Sequence, residues 1–551
     1  MSSINKKGNI KMNFLDALKK VNNYTVTENG ATAYKSTNNA VLDAFGSLGS
    51  FNKLNIEYDY FVNQAIDTFY KAWYEDRKLA MKLLFYLRDI RGGQGCRTLF
   101  RVIMITLANY YPEYVINNFD NFLLYGRGDD LLYLLDTPVE KEVIEYIGQV
   151  LSEDIISVGN GGSCSLLAKW LPSENASSKK TKYFAHKLIN GLNMKPSEYR
   201  KTLSKLRGSI NIVETLMSQN KWEEVDFEKL PSKASMLYSN AFYNHVQENY
   251  INYLTNLANG NSKINAKTLL PVDIVHKMTG GNCYSIIRNK KDIILYDALW
   301  KALPNYFEEA GIDETGLCVV DTSGSMYGTP LEVAISLGLY CADKARGPFK
   351  NHFITFSHKP ELQEIKGENI CEKVYSMSRA NWDMNTNIEA VFDLILKTAV
   401  ENNLTQNELP NKLYIISDMQ FDDCAVNNKY KPNNNWWEEK EVTKGQRTMT
   451  FIDSMKEKYA KQGYVLPAIV YWNVRPSNCG MFQQTIEDEQ CCFVSGYSPS
   501  LFKAVLLGTE YEEEVNDMGE KITKVRLDPM TIMLNTLNSE RYDSVWTGEG
   551  E

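Results

Sequence analysis

From residue 56 to about residue 305, apolar positions recur at three- and four-residue steps. Phe61, Ala65, Phe69, Ala72 and Trp73 fall on one face of a helix. Leu79, Leu83, Leu84 and Leu87 define a second helix. Gly92-Gly93-Gln94-Gly95 should end it, because glycine reaches the backbone conformations that a helix stop needs. The same periodicity predicts helices over 98–111, 113–124, 129–135, 139–152, 180–192, 196–217 and 233–257. Each is too short to be stable alone and has to stack on its neighbours. The expectation is an array of antiparallel helix pairs, a HEAT-like α-solenoid, although no strict period is visible.

Near residues 305–315 the pattern changes. Leu317-Cys-Val-Val-Asp321 is a short apolar run ending in a carboxylate, which suits a buried parallel strand. Strands over 352–357, 412–418, 466–474 and 491–495 alternate with helices over 330–344, 388–400, 448–462 and 499–507. This alternation predicts a doubly wound, Rossmann-like α/β sheet. The expected organisation has four parts. They are a polar N-terminal arm (1–55) with one short helix near 14–21, the helical region (56–305), an α/β domain (306–510) with a polar insertion at 421–445, and an acidic tail (511–551) with a closing helix near 530–537. The fold class is therefore α + α/β.

The chain has 551 residues, too many for one ordinary core. Its net charge of −8 argues against a generic polyanion binder. The average hides an asymmetry: residues 1–300 carry 36 basic and 30 acidic side chains (+6), and the remainder 24 and 38 (−14). No window approaches the ~20 apolar residues of a membrane span. Met1-Ser-Ser-Ile-Asn-Lys-Lys7 is not followed by a signal-peptide core. The 10 cysteines form no CxxC pair, and the 5 histidines form no HExxH, so reduced thiols, a cytoplasmic location and no zinc site are expected.

The chemistry concentrates at Asp321-Thr-Ser323-Gly-Ser325, directly after the predicted strand. A carboxylate and two hydroxyls in a tight loop offer hard oxygens to a cation such as Mg²⁺, or another divalent ion. Asn385-Thr386-Asn387 opens a predicted helix and could add the Thr386 hydroxyl, and Asp418 ends another apolar strand. The plainer alternative is a helix N-cap without metal. These residues resemble the von Willebrand factor A domain and its metal-ion-dependent adhesion site. The resemblance implies direct ligation by Ser323, Ser325 and Thr386, with Asp321 and Asp418 acting largely through water. It also implies an open position for a carboxylate from a protein partner. Two departures stand out: Met384-Asn385 replaces glycines before the threonine, and Met419 replaces the glycine after the second aspartate.

In the first half, Arg88, Arg91, Arg97 and Arg101 cluster around the glycine turn. Such a cluster could grip phosphates, assisted by backbone N–H groups at the next helix start. Lys182, Arg200, Lys205 and Arg207 add to it. Solvated helix faces are the plainer explanation for each cluster. A helical array followed by an A domain resembles the Ro/TROVE proteins, which bind small structured RNAs. The chain also resembles an uncharacterised family of the same two-part layout, through 88–101, 126–135, 169–173, 199–214, 321–330, 416–422 and 470–474. The resemblance implies a non-enzymatic RNA-binding scaffold. The other reading is a metal-dependent protein-interaction scaffold, or a viral or phage structural component, without RNA. A metal-dependent nuclease is disfavoured, because hydroxyls outnumber carboxylates at the site. Oligomeric state is not readable from the sequence.

Overall fold

Asn39, Asp76 and Ser178 each open a helix by accepting a hydrogen bond from the backbone N–H three residues on. The computed structural model describes residues 23–27, 31–53, 59–210, 212–283, 286, 289–311, 316–356, 359–380, 387–421, 451–476, 481–486, 488–515 and 521–548. The expected helix near 14–21, the insertion at 421–445 (except residue 421) and Thr386 lie outside these residues.

The helical region runs through α1 (Ala40–Leu48), α2 (Asp59–Glu75), α3 (Arg77–Arg88), α4 (Arg97–Tyr110), α5 (Pro112–Ile116), α6 (Phe119–Tyr125), α7 (Glu140–Gly159), α8 (Leu167–Trp170), α9 (Lys179–Gly191) and α10 (Pro196–Ser209). It continues through α11 (Val213–Ser218), α12 (Ser232–Leu237), α13 (Ser239–His245), α14 (Gln247–Ala258), α15 (Pro271–Thr279), α16 (Lys290–Lys301) and α17 (Tyr306–Ala310). Three predicted helices are broken. The run 113–124 divides at Asn117 and Asn118, 196–217 divides after Ser209, and 233–257 divides at Tyr238 and Val246. At the first break the Asn118 side chain donates to the Trp546 carbonyl at 2.9 Å, so a distant partner sets the bend.

Two short strands, β1 (Tyr24–Val26) and β2 (Thr32–Tyr34), form an N-terminal hairpin. The central sheet contains β3 (Gly316–Asp321), β4 (His352–Phe356), β5 (Leu362–Glu364), β6 (Lys412–Ser417), β7 (Ala468–Asn473) and β8 (Cys491–Ser495). Their order is β5-β4-β3-β6-β7-β8, parallel throughout except for the edge strand β5. Between them run α18 (Thr329–Lys344), α19 (Ile370–Ser378), α20 (Ile388–Glu401) and α21 (Phe451–Ala460), and α22 (Ser500–Leu507) follows β8. The chain leaves β3 toward β4 on one side and places β6 on the other. The carboxyl ends of β3 and β6 therefore flank a topological switch point, where open α/β sheets hold ligands.

Strand alternation assigns each face its own core. Leu317, Val319, Leu413, Ile415, Ile469 and Tyr471 pack with α20 and α21. Cys318, Val320, Tyr414, Ile416, Val470 and Trp472 join a cluster that runs through α18 and α15 into the helical region as far as Trp73. The two parts thus share one continuous apolar interior.

Residues 31–53 are not a loosely held arm. Val41, Leu42, Ala44, Phe45 and Leu48 are buried, and Tyr34 pairs with Phe482 through backbone hydrogen bonds of 2.7 and 2.9 Å. Gly49 donates its N–H to Ser495 Oγ, and a Cβ there would lie 2.1 Å from the Ser495 carbonyl, so only glycine lets α1 end against β8. The acidic tail is also more ordered than expected. Strand β9 (Thr509–Val515) pairs with β10 (Lys521–Leu527), placing Glu512 opposite Lys524 and Glu510 opposite Arg526. Cross-strand charge pairing lets so acidic a strand form. Helix α23 (Pro529–Leu537) follows.

Candidate functional site

Asp321 ends β3 and is 1% exposed. Its Oδ1 accepts from the Ser323 N–H at 2.9 Å and its Oδ2 from the Ser417 hydroxyl at 2.5 Å. The Ser323 and Ser325 hydroxyls lie 3.0 Å apart. Asp418 follows β6 and is fully buried, with Oδ1 accepting from the Gln420 N–H at 3.2 Å. Burial first, then the neighbouring Asp418 carboxylate, pushes Asp321 up to about 6, against the hydrogen bonds from Ser417 and Ser323. Met419 has φ 65, the left-handed region that favours glycine, so the chain accepts strain beside Asp418.

Four of the five expected cation ligands are thereby placed in two loops at the carboxyl ends of the two central strands, and Thr386 lies outside the described residues. Among the described residues, no group of three or more His, Cys, Asp or Glu side chains comes together for a metal. The donor set here is of another kind, two carboxylates and two hydroxyls. All four are hard oxygens and suit Mg²⁺. Sequence reasoning missed one member of the site. Arg475, after β7, donates from Nη1 to the Ser325 carbonyl at 3.0 Å and to Asp418 Oδ2 at 3.1 Å. Its backbone N–H is held by Asn473 Oδ1 at 3.0 Å.

The basic residues of the first half divide into two groups. Arg88 and Arg101 are internal structural residues and are not exposed to a ligand. Arg88 is 2% exposed and its Nε donates to Asp130 Oδ2 at 2.8 Å. Arg101 Nε donates to Asp130 Oδ1 at 2.6 Å, and its Nη2 lies 2.9 Å from Asp129. The glycine turn is spent as well. The N–H groups of Gln94, Gly95 and Cys96 donate to the carbonyls of Tyr86, Asp89 and Leu87, so they finish α3 and cannot cradle phosphate. Arg207 donates to the Ala168 and Leu171 carbonyls and to Ser173 Oγ, which holds the end of α8. Arg200 is paired with Glu174.

Arg91, Arg97, Lys182 and Lys205 are exposed. Arg91 donates to the Leu124 carbonyl at 3.1 Å. Partial burial, then the nearby Arg127 and Arg101 guanidinium groups, hold Arg97 below the usual arginine value. Arg127 lies 3.9 Å from the Trp170 ring centre, with Lys169 at 5.5 Å from the same ring. Tyr133 is shared by Arg101 at 4.1 Å and Lys180 at 4.3 Å. These contacts link Arg97, Arg101, Arg127, Lys169 and Lys180 with two aromatic rings into one strip. Arg127, Tyr133, Lys169 and Trp170 lie in segments that carry the family resemblance, but their meeting is tertiary and was not readable from the sequence.

Fold and site together define a helical array fused through a shared core to an α/β sheet, with a two-carboxylate loop site at the switch point. Residues 315–537 match a family described as a domain of unknown function (DUF7788), and residues 27–129 and 143–312 match a second (DUF2828). Over 556 aligned positions the chain is 32% identical to the uncharacterized protein L728 of Acanthamoeba polyphaga mimivirus, covering 95% of this chain and 90% of the viral protein. The chain belongs to the same family as that viral protein. The crystal structure of the Ro (RSR) protein of Deinococcus radiodurans aligns with 85% of this chain and 99% of its own, at 12% identity and a TM-score of 0.35. Among the described residues no helix is long and apolar enough to cross a membrane.

Proposed function

We propose that the chain is a non-enzymatic scaffold that binds structured small RNA on its helical region. In this reading the helices form a HEAT-like array, and the sheet is a von Willebrand factor A-type domain that binds Mg²⁺. The strip of Arg97, Arg127, Lys169 and Lys180 with Tyr133 and Trp170 supports the RNA reading, with Arg127 also paired to Asp129. Cations interleaved with aromatic faces suit phosphate attraction together with base stacking. Arg97, crowded by like charge, gains from an added anion.

The cation reading is supported by the donor set. Asp321, Ser323, Ser325 and Asp418 would hold the ion, with Thr386 as a further donor. Mg²⁺ would supply one coordination position for an acidic group of a protein partner. The chain's own residues set the stage: Ser417 and the Ser323 N–H orient Asp321, and burial keeps Asp418 out of water.

The test is to purify the protein from its host and sequence the nucleic acid that accompanies it. Discrete small RNAs that R97E/K180E loses are the expected result. Protein free of RNA, with no salt-sensitive RNA binding, would overturn the RNA reading. Neutralisation of Arg88 and Arg101 by Asp130 and Asp129 favours the second reading, a metal-dependent protein scaffold without RNA. Partner capture that is abolished by EDTA and by Asp321→Ala, in nuclease-treated protein, supports that second reading.

A further inference from the structure

Two buried carboxylates meet at the switch point, and the Arg475 guanidinium reaches one of them, Asp418. Arg475 Nη1 lies 3.1 Å from Asp418 Oδ2 and 3.0 Å from the Ser325 carbonyl. It thereby bridges the loop after β3 to the loop after β6. Asp418 is fully buried whereas the Arg475 side chain is 37% exposed, so the guanidinium approaches from the open side of the site. Its backbone is pinned by the buried Asn473, which fixes where the side chain starts while leaving its end partly in solvent. Asp321 accepts from the Ser417 hydroxyl and from Ser323, all neutral donors.

We propose that Arg475 is an exchangeable internal cation, which a divalent ion entering between Asp321, Ser323, Ser325 and Asp418 displaces. This rests on the reading of these residues as a cation site. The argument is electrostatic. A guanidinium in contact with Asp418 and a divalent ion on the same carboxylate would repel each other strongly in a site so poor in water. The two cations therefore compete, and each weakens the other by the same factor. Released Arg475 stays tethered through Asn473 at the rim of the site. There it becomes a second positive group for the carboxylate of a partner, so that partner binding and ion binding favour each other. Without the ion, the Ser325–Arg475–Asp418 bridge keeps the site closed.

The experiment is titration of Mn²⁺ into the full chain by calorimetry, comparing wild type, R475Q and R475K, with melting curves to establish that each is folded. R475Q is expected to bind Mn²⁺ about tenfold or more tightly than wild type, within the usual range of such couplings. R475K keeps the charge and is expected to stay near wild type. Equal or weaker Mn²⁺ binding by folded R475Q would overturn the exchange. Absence of Mn²⁺ binding in both wild type and R475Q would instead overturn the cation-site reading, and the exchange with it.

Discussion

Asp130 illustrates how one residue decides what its neighbours can do. It accepts from Arg88 and Arg101 and from the Arg127 N–H, so three arginines are organised around one buried carboxylate. Asp130→Ala leaves Arg88 buried without a counterion, and urea unfolding is expected to record a loss of about 3–5 kcal/mol. Arg97→Glu, at an exposed position, is expected to change stability by less than about 0.5 kcal/mol. Asp321 makes a pH-dependent prediction. Its folded-state value lies above the ordinary 3.8, so folding favours the protonated acid. That contribution is fully present below 3.8 and is lost as the pH rises through about 6. Asp321→Asn has no such loss. In EDTA, the stability of the variant relative to wild type is expected to rise between about pH 4 and pH 7, by at most roughly 3 kcal/mol. A pH-independent difference would contradict it. On the proposed Mg²⁺ reading, wild type is expected to gain about 2.7 kcal/mol at a hundredfold excess over Kd, and the variant to gain less.

At the scale of elements, the segment after α23 is tied to the helical region at the end of α3 and at α5. Arg541 donates to the fully buried Asp89 from Nε and, at 2.8 Å, from Nη2, and the Tyr542 hydroxyl adds a contact at 3.1 Å. Trp546 packs edge-on against Tyr114, with ring centres 5.0 Å apart. Arg541→Ala is expected to cost about 3–5 kcal/mol, because Asp89 then stays buried without its cation. Removing residues 539–551 is expected to lower the melting temperature at least as much, as read by calorimetry. The sequence made the elements of the sheet legible, because Leu317–Val320 and Leu413–Ile416 are uninterrupted apolar runs ending in polar loops. It did not reveal the breaks at Asn118 and Val246 or the pairing of β9 with β10. The break at Asn118 depends on a partner from another part of the chain, the Trp546 carbonyl.

At the scale of the whole molecule, one continuous apolar interior runs from Trp73 to Trp472 and joins the helical region to the sheet. His276 adds a polar link, with Nδ1 2.9 Å from the buried Glu332 on α18, the helix that follows the Asp321 loop. Asp321, Ser323, Ser325 and Asp418 were legible because strand ends in an α/β sheet converge by topology. Arg475 was not, since it lies 150 residues from Ser325 and only the sheet order brings them together. The basic clusters misled for the same reason. Arg88 looks solvent-facing in sequence, yet its counterion comes from 42 residues away. The most direct measurement is RNA-binding anisotropy between 50 and 200 mM salt, for wild type and R97E/K180E. The account predicts affinity falling with salt in wild type and, in the variant, weaker binding with a log–log slope smaller by about 1.4–1.8, two phosphate contacts. Unchanged affinity and slope in the folded variant, or no salt dependence in wild type, would contradict it.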